Sequence, residues 1–311
     1  MRNAIKLTIA ALLVTVAVLA VQEIQRPRIV GVPHVAVRVH DIEASRHFYK
    51  DFLGYSEPFS SRTDGKLLTA FIKINDRQYI ELAPETSPNE PRFIHFALET
   101  DNAEGLRQYM KSKGYKVSDN PAAPHRNRNI GTPLEDPDGN HIDVTQYALD
   151  SETMKDVGKD MSDKRISTRL LHVGFYVSKR ETAHYYVDIL GFREFWRATA
   201  DGKTANTLNL MVPEGCDYVE LMMGPPPTTP ERYGSTYHIA LEVPDMDAVV
   251  AKLNASPARK DYKREISIHT GRNHKRLCNL FDPDGMRIEL TEDHTVDGLP
   301  SPMANLPLFA K

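Results

Sequence analysis

The chain has 311 residues, with 39 Lys and Arg against 42 Asp and Glu, and only two cysteines, Cys216 and Cys278. A slightly acidic balance without a basic stripe gives no footing for a nucleic-acid partner. Two cysteines exclude a dense disulfide framework, leaving one bridge or two free thiols, and the length suits about two domains.

The chain opens with Arg2 and Lys6 ahead of a non-ionic run from Leu7 to Ala20. Positive charge followed by a short apolar run reads as a secretory signal over residues 1–20. Its fourteen residues fall short of the roughly 20 that span a bilayer. Export to a periplasmic or extracellular space is therefore expected, with an uncleaved signal-anchor tethering the chain to a membrane as the alternative. Cleavage after Ala20 would leave 291 residues and take the net charge from −3 to −5.

Beyond residue 28 four stretches alternate strictly, each starting at a histidine: His34 to Val39, His95 to Thr100, His172 to Val177 and His238 to Val243. Alternation predicts strands. One face of each is apolar, as in Val35, Val37 and Val39, and predicts packing on a helix. Helix signals follow at once. Asp41 precedes Phe48, Tyr49, Phe52 and Leu53; Asp101 and Glu104 precede Leu106, Tyr109 and Met110; Ser178 and Glu181 have the spacing of a capping box before Tyr185, Tyr186, Ile189 and Leu190. Gly54, Gly114 and Gly191 stand where these helices should stop. Segments such as LLTAFIKI, RQYIELA, TLNLMV and DYVELMM predict the remaining strands.

The phrase HFYKDFLGY at residues 47–55 returns as HYYVDILGF at 184–192. The correspondence is general: His34 answers His172, Glu81 answers Glu220, His95 answers His238, and Asp143 answers Glu289. Two homologous halves follow, over residues 29–147 and 169–292. A polar linker joins them at 148–168, and a tail occupies 293–311. Each half divides again into two modules of one strand, one helix and about three more strands.

Each leading histidine points away from its apolar face, and small residues follow it there: Ala36, Ala97, Gly174 and Ala240. Each carboxylate is flanked by apolar residues of the opposite face, as in Ile80-Glu81-Leu82 and Ile288-Glu289-Leu290. A carboxylate in an apolar strand is costly to bury unless a cation meets it. Imidazoles and carboxylates repeated in this way point to a first-row divalent ion.

This pattern resembles the vicinal oxygen chelate (VOC) superfamily, which includes glyoxalase I, extradiol dioxygenases and bleomycin-resistance proteins. The stretches that carry the resemblance are PHVAVRVHDIEASRHFYKDFLGY, YIEL, FIHFALETDN, DPDGNHIDV and their second-half counterparts. It implies an α+β fold of four βαβββ modules forming two glyoxalase-like domains, each curving around one divalent metal ion (Fe, Mn, Zn, Ni or Co). With contiguous modules paired, the N-terminal ligands would be His34, Glu81, His95 and Asp143. The C-terminal ligands would be His172, Glu220, His238 and Glu289. Pairing outer modules together and inner modules together is the alternative. Asp143 is one methylene shorter than the glutamate expected there, which favours the C-terminal set.

Two histidines and two carboxylates resemble glyoxalase I and its isomerase relatives. That likeness implies lyase or isomerase chemistry through a metal-stabilised enediolate, with Glu220 and Glu289 as candidate catalytic bases. The first alternative is extradiol ring cleavage of a catechol at His172, His238 and Glu289. Against it, Asn279 stands where such enzymes carry a tyrosine, and no histidine follows Glu220 in LMMGPPP. The second alternative is a binding or resistance protein without turnover. Arg126 and Arg272, each 17 residues before the last carboxylate of its half, are candidates to bind an anionic group of a small-molecule substrate. The two DPDG stretches read as turns that launch the last strand.

Overall fold

The computed structural model describes residues 24–304 apart from 89, 226, 227, 230–233 and 235. The signal expected over residues 1–20 lies outside the described residues. Among the described residues no helix is long and apolar enough to cross a membrane.

The four modules form as the alternation requires. The first is β2 (His34–Val39), a helix, then β3 (Ser56–Thr63), β4 (Lys66–Lys73) and β5 (Tyr79–Pro84). The second is β6 (Phe93–Thr100), α2 (Ala103–Ser112), β7 (Ala123–Pro124), β8 (Ile130–Glu135) and β9 (His141–Gln146). The third is β10 (Arg169–Val177), a helix, β11 (Arg193–Ala198), β12 (Thr207–Met211) and β13 (Tyr218–Met223). The fourth is β14 (His238–Val243), α5 (Met246–Ala255), β15 (Ile268–Thr270), β16 (Lys275–Phe281) and β17 (Arg287–Thr295). A short leading strand, β1 (Ile29–Gly31), pairs antiparallel with β6.

Sheet order is β3-β4-β5-β2-β6-β9-β8-β7 in the first half and β11-β12-β13-β10-β14-β17-β16-β15 in the second. Modules are therefore joined contiguously, through the antiparallel pairs β2·β6 and β10·β14. The helix sides follow the other pairing. Phe52, from the first module, stacks on Tyr262, which follows α5 of the fourth, at 4.8 Å; Tyr115 of the second meets Tyr185 of the third at 4.9 Å. Both pairings left open by the sequence are thus used, one by the sheets and one by the helices. Phe96 stacks on Phe175 at 5.0 Å between the halves, in one continuous core that also takes in Val35, Val37 and Val39.

The repeated phrase is not ordinary α-helix. A short α1 (Ile42–Arg46) widens into a π-helix over His47–Phe52, and α4 (Arg180–His184) does the same over Tyr185–Ile189. Leu53 N donates to Phe48 O and Leu190 N to Tyr185 O, the wider five-residue closure. Gly54 and Gly191 then turn the chain at φ +81° and +78°.

Widening aims one tyrosine of each phrase at the opposite half. Tyr49 Oη donates to Asp282 Oδ2 at 3.1 Å, and Tyr186 Oη donates to Asp136 Oδ2 at 3.1 Å. Both aspartates open DPDG turns, which therefore do more than start a strand. Asp138 of the first turn accepts from Ser178 N, Lys179 N, Ser178 Oγ and Thr182 Oγ1. Asp284 of the second accepts from His40 N at 3.0 Å.

Three local expectations change. Ser178 and Glu181 form no capping box, because Asp138 of the other half takes both the hydroxyl and the amide of Ser178, and the helix starts after Lys179 without a side-chain cap. Asn102 rather than Asp101 caps α2, accepting from Gly105 N, whereas Asp41 caps α1 as expected. The tail begins later than residue 293, since β17 runs to Thr295 with Lys275 as its partner. The linker contains α3 (Glu152–Lys155) and is fastened by the buried Lys73, whose Nζ donates to Asp156 Oδ2 at 2.7 Å and to Lys159 O at 2.7 Å. Both cysteines are free, Cys216 exposed and Cys278 buried.

Candidate functional site

Register brings the candidate ligands together. In the first sheet Ala36 lies between Glu81 on β5 and His95 on β6, and Ala97 faces Asp143 on β9. In the second, Gly174 lies between Glu220 and His238, and Ala240 faces Glu289. The small residues that follow each histidine thus leave room for the polar groups beside them.

In the N-terminal set the Nε2 atoms of His34 and His95 are 3.1 Å apart. Glu81 Oε1 lies 3.7 Å and Asp143 Oδ2 3.5 Å from His34 Nε2. In the C-terminal set the Nε2 atoms of His172 and His238 are 3.0 Å apart, Glu289 Oε1 is 3.8 Å from His172 and Glu220 Oε1 is 3.8 Å from His238. Ligand atoms of His34, Glu81 and His95, and of His172, Glu220 and His238, lie within 4.8 Å of one another. Three donors of each set therefore converge, with Asp143 beside His34 and Glu289 beside His172. The shorter Asp143 reaches as close as Glu289, so chain length at that position does not separate the sets.

Burial governs their charge. It holds the His34 and His238 imidazoles well below the usual range, His95 at about 4 and His172 at about 3, so the rings are neutral. Burial, with Asp143 adding like charge, pushes Glu81 up to about 8, and burial pushes Asp143 up to about 7. Among the described residues, Glu81 and Asp143 form ion pairs with imidazoles alone. Two buried carboxylates facing neutral imidazoles lack a cation, and the N-terminal donors fit a divalent ion. In the C-terminal set burial likewise raises Glu220, to about 7, and Glu289. There, however, Arg287 opposes the rise, and its Nη2 reaches Nδ1 of His238.

A cavity of about 750 Å³ opens on the N-terminal set, with Phe71 and Pro133 on its apolar side and Asn127 and Asn129 among its polar groups. Arg126 lines it and is exposed, as a group at the mouth should be. Arg272 is engaged instead by its own chain, donating to Asn206 Oδ1 at 2.9 Å and to Thr207 Oγ1 at 3.0 Å. His125 and His141, given no role from sequence, also line the cavity, and His125 Nδ1 is 3.7 Å from Asp143 Oδ2. Their one signal is the local crowding of histidines in the second module, since their counterparts in the second half are Gly271 and Arg287.

Comparison with known proteins agrees with this architecture. Residues 31–144 match one family model and residues 171–275 a second, both described as the Glyoxalase/Bleomycin resistance protein/Dioxygenase superfamily. No curated protein gives a match. Among solved structures, the Mn(II)-bound glyoxalase from Novosphingobium aromaticivorans aligns at 18% identity and TM-score 0.63, over 86% of this chain and 83% of that one. An extradiol ring-cleaving dioxygenase from Brevibacterium fuscum aligns at 18% identity and TM-score 0.64, over 90% and 76%. Homoprotocatechuate 2,3-dioxygenase from Arthrobacter globiformis aligns at 18% and 0.63, over 87% and 81%. Identities this low speak for the fold, and the donor clusters suggest a divalent metal. Matched in both halves, the chain belongs to the glyoxalase, bleomycin-resistance protein and dioxygenase superfamily, the VOC superfamily, with its fold present twice in one polypeptide.

Proposed function

We propose that the protein is a divalent-metal-dependent enzyme of glyoxalase-like lyase or isomerase type, acting at the N-terminal set on a small, oxygenated, anionic substrate. One observation carries this reading: His34, Glu81, His95 and Asp143 line the same 750 Å³ cavity. These four residues would hold the metal, which would polarise a substrate carbonyl and ease loss of the neighbouring proton. Glu81 is the base that takes that proton and returns it to the adjacent carbon. His125 stands close enough to Asp143 to pass a proton to solvent through one water. Arg126 at the mouth would hold a carboxylate or phosphate. The same roles for Glu220 and Glu289, with Arg272, at the C-terminal set form the second reading.

Elemental analysis of the purified chain tests the site. About one ion per chain is expected, lost in His34→Ala and His95→Ala and kept in His238→Ala; the reverse pattern would favour the second reading. For the reaction, solvent deuterium should enter the carbon beside the carbonyl of a 2-hydroxy ketone, and Glu81→Gln should slow that exchange at least about 100-fold. Oxygen uptake with catechols in place of exchange would establish ring cleavage, and metal-free ligand binding without turnover would establish a binder. The leading segment supports export of the mature chain, for which amino-terminal sequencing after Ala20 is the test.

A further inference from the structure

The two donor sets descend from one repeat but differ at two positions around the second imidazole. Where the first half has Ala36 and His141, the second has Gly174 and Arg287. The His238 ring lies directly against Gly174, where a Cβ would come within 1.9 Å of Cε1. A ring at that place requires glycine, and Ala36 offers His95 no such seat. Seated there, His238 presents Nδ1 to Nη2 of Arg287.

A guanidinium has donors and no acceptor, so the direction of this bond is fixed: Arg287 donates and Nδ1 of His238 accepts. A neutral imidazole with a bare Nδ1 carries its proton on Nε2. That nitrogen is 3.0 Å from Nε2 of His172, and therefore donates to it. The His172 lone pair is consumed, and its own proton sits on Nδ1, which is buried without a hydrogen-bond partner. Neither ring then offers a lone pair to the centre; the N-terminal rings share the same Nε2–Nε2 contact, but only here does a guanidinium hold the tautomer in place. A metal-bound imidazole, by contrast, needs its outer N–H held by an acceptor. Thr236 O, 3.2 Å from Nδ1 of His238, is such an acceptor, but it competes with Arg287 for the same nitrogen.

We infer that Arg287 closes the C-terminal donor set to divalent cations by fixing His238 in the tautomer whose Nε2 is protonated. The C-terminal set is a closed copy of a metal site rather than a second working one. Withdrawal of Arg287 would let Nδ1–H donate to Thr236 O and bare Nε2 toward the centre. This holds whether or not the N-terminal set does the chemistry proposed above.

Two measurements test it. Long-range ¹H–¹⁵N correlation spectra of the intact wild-type chain should show His238 with a protonated Nε2 and a bare Nδ1; the opposite tautomer overturns the inference. Metal stoichiometry is then read with Zn²⁺ on His95→Ala, which disables the N-terminal set. No ion should be retained by that variant, and adding Arg287→Leu should restore one ion per chain, lost again with His238→Ala. Retention of an ion by His95→Ala alone, removable by His238→Ala, would overturn the inference, as would the absence of any gain in a folded His95→Ala/Arg287→Leu chain. Failure of the N-terminal reading looks different: the wild type would hold no ion, while Arg287→Leu alone would still gain one.

Discussion

At the scale of single residues, the N-terminal carboxylates connect metal binding to pH. With Glu81 raised to about 8 and Asp143 to about 7, the metal-free chain holds protons there that an ion must displace. Affinity for Zn²⁺ should therefore rise from pH 6 to pH 8, with about one proton released per ion. Calorimetric titration in buffers of different ionisation enthalpy measures both quantities, and a flat affinity would remove the basis for the site. Folding of the metal-free chain responds in the opposite sense. A carboxyl raised in the folded state contributes stability below its ordinary value of 4.5, and that contribution is lost as pH rises through about 8. Glu81→Gln should flatten this alkaline decline in urea titrations at pH 5 and pH 9. The depressed imidazoles act on the acid side, where the contributions of His95 and His172 are lost as pH falls through about 4 and about 3. The eight candidate donors stood out in the sequence because duplication repeats them at matching offsets. Arg287 was not, because its effect depends on which imidazole nitrogen it touches, and that is set by a ring lying over Gly174.

At the scale of elements, the helix of each odd module takes its anchor from the opposite half. Asp138→Ala removes an acceptor shared by Ser178, Lys179 and Thr182. It should cost about 1–3 kcal/mol in chemical denaturation, the range for hydrogen bonds to a charged group. Tyr49→Phe takes the hydroxyl donor from Oδ2 of Asp282, whose Oδ1 keeps the amides of Asp284 and Met286, and should cost about 1 kcal/mol, with little effect on metal content at the N-terminal set. Alternation and terminal glycines revealed strands and helix stops, since both are local. The π-widening of the repeated phrase is not local, because it is the hydrogen bonds of Tyr49 and Tyr186 to the other half that use it. For the same reason the expected Ser178–Glu181 box failed: a carboxylate from forty residues away outcompeted the neighbouring glutamate.

For the whole molecule, sheets join neighbouring modules and helices join distant ones, so each half exposes part of a shared core when taken alone. Phe96 against Phe175 and Phe93 against Tyr237 lie at that seam. The intact chain should unfold in one cooperative step. Fluorescence of Trp196, in the second half, and far-ultraviolet dichroism, which reads both halves, should give coincident midpoints, whereas separated midpoints would show that the halves fold independently. The four-module plan could be read from offsets alone. How modules pair could not, because the same apolar stripes satisfy either arrangement until registers and aromatic contacts are known.

The reciprocal grip of the DPDG turns has one more implication. The turn that begins at Asp282, held by Tyr49 and by the amide of His40, leads within a few residues to Arg287; its counterpart at Asp136, held by Tyr186 and Ser178, leads to Asp143. Each copy thus keeps custody of its twin's last ligand strand. Divergence after the duplication was free to rewrite one centre, but only while that copy continued to serve as scaffolding for the other, which explains how a silenced site can persist with its ligands still in place.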